Sequence, residues 1–517
     1  MLGWLERGIE AVAPSVALKR AEARQRIARS TAVRNLYEGA TYSRRAQGWR
    51  ATYTDANAET RIALMRLRSV ARDLVRNNAI ATRAKTVIAN NVIGAGITPT
   101  VRAATEARAK QVGDLVKAHF ESSDIDADGR HNIYGLQNLA MAAIVESGEV
   151  LIRKRIRKSS DGYALPFQLQ VLESDFLDTN VDGPLPNGNN AIQGVEFDLR
   201  GQRVAYYLFD QHPGSLTLGT TSGFRGRRVS SDFVIHIYRV DRPGQVRGIS
   251  WFAPVIVRMK DFADFTDAQL LRQKIAACFG AFVKSVEGEG PGIDDAGNPL
   301  PVTASGINIE TMEPGTIQYM REGEDVSFAQ PPQVMEFGPY TSVTMHEIAA
   351  GLGVTYESLT TNLEGVNYSS GRMGWLEFGR NIETWRWTML RPQMLEPVQG
   401  WTTEAVAVVT GSSEPFSIHW TAPARTMIDV EMENQASKDA IRNGLSSRSE
   451  EVRKRGLDPI ALDNENAADN ARADSLGLVY DSDPRAVSGK GVSQKPDSVV
   501  TTKTAKSTRA EQRDLLN

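Results

Sequence analysis

Residues 61–99, RIALMRLRSVARDLVRNNAIATRAKTVIANNVIGAGITP, decide how the rest of this chain is read. Leu67, Val70, Leu74, Ala81, Ala84 and Ile88 recur at helical spacing, which predicts a helix from Arg61 to Ile93 with a break near Asn77–Asn78. Gly94-Ala95-Gly96 followed by Pro99 ends it. Residues 61–86 carry seven Lys/Arg against one acid, Asp73, so the helix presents either a solvated basic face or a contact surface for another protein or for nucleic acid.

Working outward, two further helices are expected at roughly 102–122 and 133–146, and then the pattern changes to strand. VLIRKRIRK (150–158), FQLQVL (167–172), GVEFDLRGQRVAYYLF (194–209) and DFVIHIYRV (232–240) alternate or are rich in β-branched and aromatic residues. Turns are expected at Gly162, Asn187-Gly188, Arg200-Gly201 and Pro213-Gly214, and the two apolar runs flanking Arg200-Gly201 predict a hairpin. Beyond Gly248, residues 251–285 read as one long helix with Pro254 in its first turn, where proline is tolerated. Residues 286–335 are Gly- and Pro-rich loop and short strand. A shorter helix at about 338–351 leads into the polar stretch TYESLTTNLEGVNYSSG (355–371), and a long helix runs from Arg372 to about Leu395, interrupted near Pro392. One or two helices are expected within 427–455. From about 481 the chain reads as a disordered, mildly basic tail.

With 517 residues, 41% hydrophobic and 24% charged, the chain has the composition of a multi-region globular protein. The net charge of −2 argues against a surface that coats nucleic acid throughout, although residues 1–50 carry ten Lys/Arg against four acids. Cys278 is the only cysteine, which excludes an intrachain disulfide and a cysteine zinc site. The amphipathic N-terminus lacks the apolar core of a signal peptide, and no run is long and apolar enough to span a membrane; the chain reads as soluble.

Catalytic motifs are wanting. DIDADG (124–129) imitates the start of a calcium loop, but its twelfth position is Gly135 where a bidentate Glu is required, so Asp128-Gly129 is read as a turn. The six histidines form no HExxH, and His236 is read as a strand residue. GEGPG (288–292) lacks the Gly-Lys-Ser/Thr of a phosphate loop, so no ATP hydrolysis is expected. Trp385 is assigned to a core or an interface.

Several segments occur in an order that resembles the lambda-type portal proteins of tailed phages. They are the Arg-rich helix and its Gly-x-Gly turn, DADGRHNIYGLQNLA (126–140), ESGEVLIR (146–153), LQVLESDFLD (169–178), GVEFD with its hairpin, and IHIYRVDRPGQVRGISWFAPVI (235–256). EPGTIQYMREGEDVSF (313–328), GLGVTYESLT (351–360), SSGRMGWLE (369–377) and GLSSRSEEVRKRGLDP (444–459) complete the series, which covers about residues 60–460. The resemblance implies an α+β portal fold with wing, two-helix stem, clip and α-helical crown, assembling as a ring of twelve subunits. Its expected regions are a basic arm (1–60), wing (61–251), first stem helix (252–285), clip (286–335), second stem helix (336–354), tunnel loop (355–371), wing helix with following strands (372–426), crown helices (427–460) and a largely disordered tail (461–517).

On that reading Asn362, Glu364, Asn367, Tyr368, Ser369, Ser370 and Arg372 belong to a polar collar around duplex DNA, and Arg258, Lys260, Arg272 and Lys274 are stem residues facing the lumen. The basic stem residues are mixed with Asp261, Asp264 and Asp267, and a mixed-sign surface suits a conduit better than a uniformly basic one that would resist sliding. The implied partners are other copies of the chain, double-stranded DNA without sequence preference, the terminase large subunit, the major capsid or scaffold protein, and head-tail connector proteins. No membrane, cofactor, metal or catalytic residue is expected; the place is the portal vertex of a virion, reached through the host cytoplasm. The other readings are a capsid-bound adaptor without a channel, and a metal-dependent nuclease, for which no carboxylate cluster can be assembled from local spacing.

Overall fold

The computed structural model describes residues 12–34, 44, 48, 52–215, 225–277, 281–285, 296–297, 324–328, 337–424, 429–480 and 485. Most of the expected clip (286–335) and most of the tail beyond 480 lie outside them. The chain divides into two units, Met1–Glu59 and Thr60–Asn517. In the first, the segment expected to be a basic arm contains helix α1 (Pro14–Arg34).

The second unit is α+β. Helix α2 (Ala56–Asn77) runs into it and is followed at once by α3 (Ala79–Ile93). The break falls where the sequence places it, because Asn78 leaves the helical conformation and its side chain accepts from the Ile80 and Ala81 amides at 3.0 and 3.1 Å. Ala81, Ala84 and Ile88 are buried as expected. On α2 the buried stripe is instead Leu64, Arg68, Ala71 and Val75, one position displaced from the expected Leu67, Val70 and Leu74. The displacement has a physical cause: an arginine, Arg68, occupies the inward stripe because it has a buried partner.

The helix expected from about 102 is shorter, since β1 (Thr98–Ala103) pairs antiparallel with β12 (Phe416–Thr421) before α4 (Glu106–Phe120) begins. Helix α5 (Ile133–Ser147) leads into a three-stranded antiparallel sheet of order β3-β2-β9, formed by β2 (Glu149–Ile156), β3 (Phe167–Glu173) and β9 (Val234–Tyr238). One face of that sheet, with Val150, Ile152, Phe167, Leu169, Ile235 and Ile237, joins the main helical core. The other, with Leu151, Leu172 and Val234, packs with Val195, Tyr206 and Leu208 of a five-stranded sheet. That second sheet is made of β4 (Gly183–Pro184), β5 (Asn190–Ile192), β6 (Val195–Phe197), β7 (Arg203–Leu208) and β8 (Arg227–Ser230) in that order, and β6 and β7 form the expected hairpin, turned at Gly201. The DIDADG segment is a turn: buried Asp126 accepts from the backbone amides of Asp128, Arg130 and His131, which uses its carboxylate internally.

At the start of β2 sits Glu149, fully buried. Its carboxylate accepts from Arg68 at 3.0 Å, from Arg247 at 2.5 to 3.1 Å, from His236 Nε2 at 2.9 Å and from the Gly248 amide at 2.8 Å. Burial pushes this carboxyl up, but the Arg247 guanidinium and the His236 hydrogen bond outweigh it and hold Glu149 well below the usual carboxylate range. Burial pushes His236 down against the pull of Glu149, whose carboxylate accepts from its Nε2. Two glycines allow the approach. A Cβ on Gly148 (φ +91°) would lie 2.3 Å from the Ile249 carbonyl carbon, and one on Gly248 would lie 2.2 Å from the Gly148 oxygen. The loop carrying Arg247 therefore lies directly on the end of α5, with the Trp251 amide donating to Val145.

From this clamped loop emerges α6 (Ile256–Ala277), shorter than the helix expected over 252–285. Trp251–Val255 form a turn that contains Pro254, and Ala281–Ser285 form a strand, β10, paired antiparallel with β11 (Glu324–Phe328). AFVKS holds an aromatic and a β-branched residue, Phe282 and Val283, and pairs with an extended partner, which a helix would forfeit. Helix α7 (Phe337–Leu352) and the short α8 (Tyr356–Thr360) follow. Helix α9 (Tyr368–Trp385) loses its regular winding around Pro392, where the interruption is expected. It continues through a π-helical stretch, Arg386–Leu395, into α10 (Glu396–Thr410), because the wider winding accommodates a residue without an N–H. Arg386 in that stretch donates to the Asn91 and Val92 carbonyls at the end of α3, and Trp385 is buried against Trp251 at 4.7 Å.

The last helices are α11 (Val430–Arg442), α12 (Arg448–Lys454) and α13 (Pro459–Leu476). Helix α13 corrects the expectation of a tail from 461: Asp458 caps it, Pro459 is pre-organised at its first turn and Gly477 closes it.

Replacing Glu149 with Gln leaves Arg247 buried without its counter-charge, and a loss of about 3–5 kcal/mol is expected in chemical denaturation. The pH dependence has a definite sign. A carboxyl held below its ordinary value of 4.5 stabilises the fold above that pH and ceases to do so as pH falls towards the folded value. The wild-type unfolding midpoint should therefore fall steeply below about pH 4.5, and the fall should be shallower in E149Q.

Candidate nucleic-acid interface

Helices α6 and α7 are held side by side by contacts at both ends. Near the start of α6, a Cβ on Gly351 would lie 2.4 Å from Val255 Cγ1, so the glycine permits the close crossing. Towards the middle, Phe265 meets Phe337 and Tyr340 at 5.8 and 4.4 Å between ring centroids. Met259, Phe262, Met345, Ile348 and Leu352 supply the buried seam, while Val257, Leu270, Leu271 and Val343 remain exposed.

The four basic residues expected on this pair are placed as follows. Arg258 reaches Glu347 on α7 at 3.1 Å. Lys260 pairs with Asp264 one turn later at 2.9 Å, and that hydrogen bond raises its pKa. Arg272 donates to Gln269 at 3.4 Å. Lys274, exposed, has no ion pair among the described residues. Two of the four charges are thus matched by a carboxylate, and the mixed-sign surface read from the sequence is present.

Between α8 and α9 the chain is irregular only over 361–367, a shorter loop than the expected 355–371. Thr361 closes α8 in a left-handed conformation at φ 58°. Asn362 accepts from the Glu364 amide at 2.9 Å and is exposed, as is Glu364. Asn367 and Ser370 are not free collar residues. They form a reciprocal cap, in which Ser370 N–H donates to Asn367 Oδ1 at 2.9 Å and Asn367 N–H donates to Ser370 Oγ at 3.1 Å. Tyr368, Ser369, Ser370 and Arg372 accordingly lie in the first turns of α9, where Arg372 donates to the Tyr368 hydroxyl at 3.3 Å. Every hydrogen bond of the loop side chains is local. The spacing of Asn367 and Ser370 is the signal that could have revealed the cap in advance.

No helix among the described residues is long and apolar enough to cross a membrane. One group of possible metal ligands occurs among them, Glu173, Asp175 and His212, but Arg72 already pairs with both carboxylates at 3.0 and 2.5 Å. A guanidinium in that position neutralises the cluster a cation would need.

Residues 42–386 match the family described as phage portal protein, lambda family, a span that contains α6, α7 and the 361–367 loop. The chain belongs to that family. It is 26% identical over 438 residues to a probable portal protein of Halomonas phage phiHAP-1, covering 80% of this chain and 81% of the relative. It is 23% identical over 474 residues to the portal protein of Escherichia phage N15, covering 81% and 86%. Among solved structures, the neck of an empty gene transfer agent particle, computed with C6 symmetry, is similar at 17% identity over 80% of this chain and 98% of that one, with a TM-score of 0.44. A portal protein is a structural component of a virion and not an enzyme.

The portal chain's most elaborate polar site is the Glu149 cluster, which spacing could not reveal because its members lie 81 to 99 positions apart. The crossing of α6 and α7 makes a testable distinction. Gly351→Val should destabilise the fold by about 1–3 kcal/mol through overpacking. Arg258→Ala, which removes only an exposed ion pair, should cost less than about 1 kcal/mol in the same denaturation assay.

Proposed function

We propose that this portal protein assembles as a ring of twelve copies around a channel for double-stranded DNA, with α6 and α7 as the stem and the 361–367 loop as a collar in the lumen. The observation that carries the reading is the direct continuity of these parts: two helices locked side by side, then a short helix, then an exposed polar loop whose hydrogen bonds are all local. A ring requires heterologous interfaces whose rotation closes, and the apolar residues left exposed on α6 and α7 are available for neighbouring copies.

The mechanism is geometric. Paired helices of fixed crossing set the channel wall. Ion pairs such as Lys260–Asp264 keep that wall close to neutral, so few counterions are released when DNA lies against it and the duplex slides. The collar can move without unfolding its neighbours, because the Asn367–Ser370 cap ends the loop on a rigid helix. Exposed Asn362 and Ser369 offer hydrogen bonds to phosphate without reading sequence. The region between α6 and α7 would be the clip that docks the terminase large subunit and later the head-tail connector proteins. The outer part, α2 to β9 with α9, would be the wing that meets capsid or scaffold protein, and α11 to α13 would form the crown.

Negative-stain electron microscopy with mass photometry tests the assembly. Rings with a central hole and a mass near twelve subunits are expected. A compact dimer that cleaves DNA in the presence of divalent metal would instead support the nuclease reading. Removing residues 362–366 should leave rings intact but let packaged DNA escape, measured as nuclease-sensitive genome in purified particles.

A further inference from the structure

The segment RKRIRK (153–158) places Arg153 and Arg155 on one face of the three-stranded sheet, at alternate positions about 6.7 Å apart along the strand, and Arg157 follows just beyond the strand's end. This is the face that carries Glu149 and Leu151 deeper in the fold, and it emerges from the core as the strand proceeds. All three arginines are half-buried, and none has an ion pair among the described residues. Two are held by glutamines of the neighbouring strand. Arg155 Nε donates to Gln170 Oε1 at 2.8 Å, and Arg157 Nε donates to Gln168 Oε1 at 2.6 Å. Gln168 is itself fixed, its amide donating to the Asp124 and Asp126 carbonyls at 2.8 and 3.0 Å.

The glutamines orient the guanidinium groups without neutralising them. Burial lowers the pKa of Arg155, and repulsion from Arg153 and Arg157 lowers it further. The carboxylate that opposes this effect, Asp210, is already paired with Arg227 at 3.0 Å. Lys154 points to the opposite face, where it meets Glu404 at 2.5 Å, and so does not dilute the row. The result is two oriented planar forks beside a third, untethered guanidinium, mutually repelling and lacking a counter-ion among the described residues.

We infer that the row Arg153, Arg155 and Arg157 is a binding surface for the phosphate backbone of duplex DNA, separate from the channel. Planar guanidinium groups bind phosphate through paired donors, and a linear repeat of fixed charges matches a linear repeat of phosphates better than it matches the irregular carboxylates of an acidic protein. The contact carries no sequence information. It gives the outside of the portal a grip on DNA lying against it, whether or not the stem and collar meet DNA.

The test uses the full assembled chain and a covalently closed DNA minicircle, which can lie on an outer surface but cannot thread a closed ring. Binding is measured across a sodium chloride series. For R153Q/R155Q/R157Q the expected result is binding weakened roughly tenfold or more at low salt, with a salt slope smaller by about 2–3. R153Q alone removes a side chain that makes no hydrogen bond among the described residues, and it should lower the slope by about one with ring mass and unfolding midpoint unchanged. A minicircle affinity and slope unchanged in both variants would overturn the inference. So would binding of linear DNA only, or displacement of the minicircle by polyglutamate at equal charge concentration, which would assign the row to an acidic protein. K260Q/K274Q should leave minicircle binding unchanged, which keeps this surface distinguishable from the channel.

Discussion

A single buried carboxylate organises the molecule. Glu149 stands where α5 ends and β2 begins, and it receives hydrogen bonds from α2, β9 and the loop that launches α6. An ionised carboxylate in a dry interior is tolerable only when its lone pairs are occupied by charged or strongly polar donors. Glu149 meets that condition with two arginines, a histidine and a backbone amide, so four separate segments must be in register before the charge is satisfied. The Gly148–Gly248 contact makes the arrangement exclusive, because any side chain there would push the loop away from the strand. The direction in which α6 leaves the domain is therefore fixed by electrostatics at its root and by close backbone packing.

This explains why the motifs that carry the portal resemblance are spread along the chain. Arg68 belongs to the Arg-rich helix, Glu149 to ESGEVLIR, His236 and Arg247 to the segment IHIYRVDRPGQVRGIS, and all four meet at one point. The ordering of these segments was legible in the sequence; their convergence was not, since an ion pair across 98 positions leaves no local periodicity. The same limit applies to β1, whose partner β12 lies 323 positions away, so TPTVRA reads locally as a helix approach and is in fact a strand. Local features fared better: the Asn78 break and the Arg200-Gly201 hairpin each depend on neighbouring residues alone, and Trp385 is buried against distant Trp251 as its size demands.

At the candidate interface the distinction is similar. The polarity of 360–371 and the alternating charges of α6 were visible, because both are properties of composition. The division of labour within them was not. Asn367 and Ser370 spend their hydrogen bonds on a helix cap, and Lys260 spends its charge on Asp264, which leaves Asn362, Glu364 and Lys274 among the exposed polar groups of the pair and its loop. The π-helical stretch at Pro392 was read as an interruption because a proline deletes one donor; Arg386 and Trp385 hold the helix together around it.

Glu149 couples four segments into one joint. Hydrogen–deuterium exchange of wild type and E149Q, under conditions where both remain folded, measures that coupling directly. Loss of protection should appear together in 64–75, 149–153, 234–238 and 247–262, with 430–476 unchanged. A change confined to 149–153 would show that the segments are held independently and that Glu149 does not couple them.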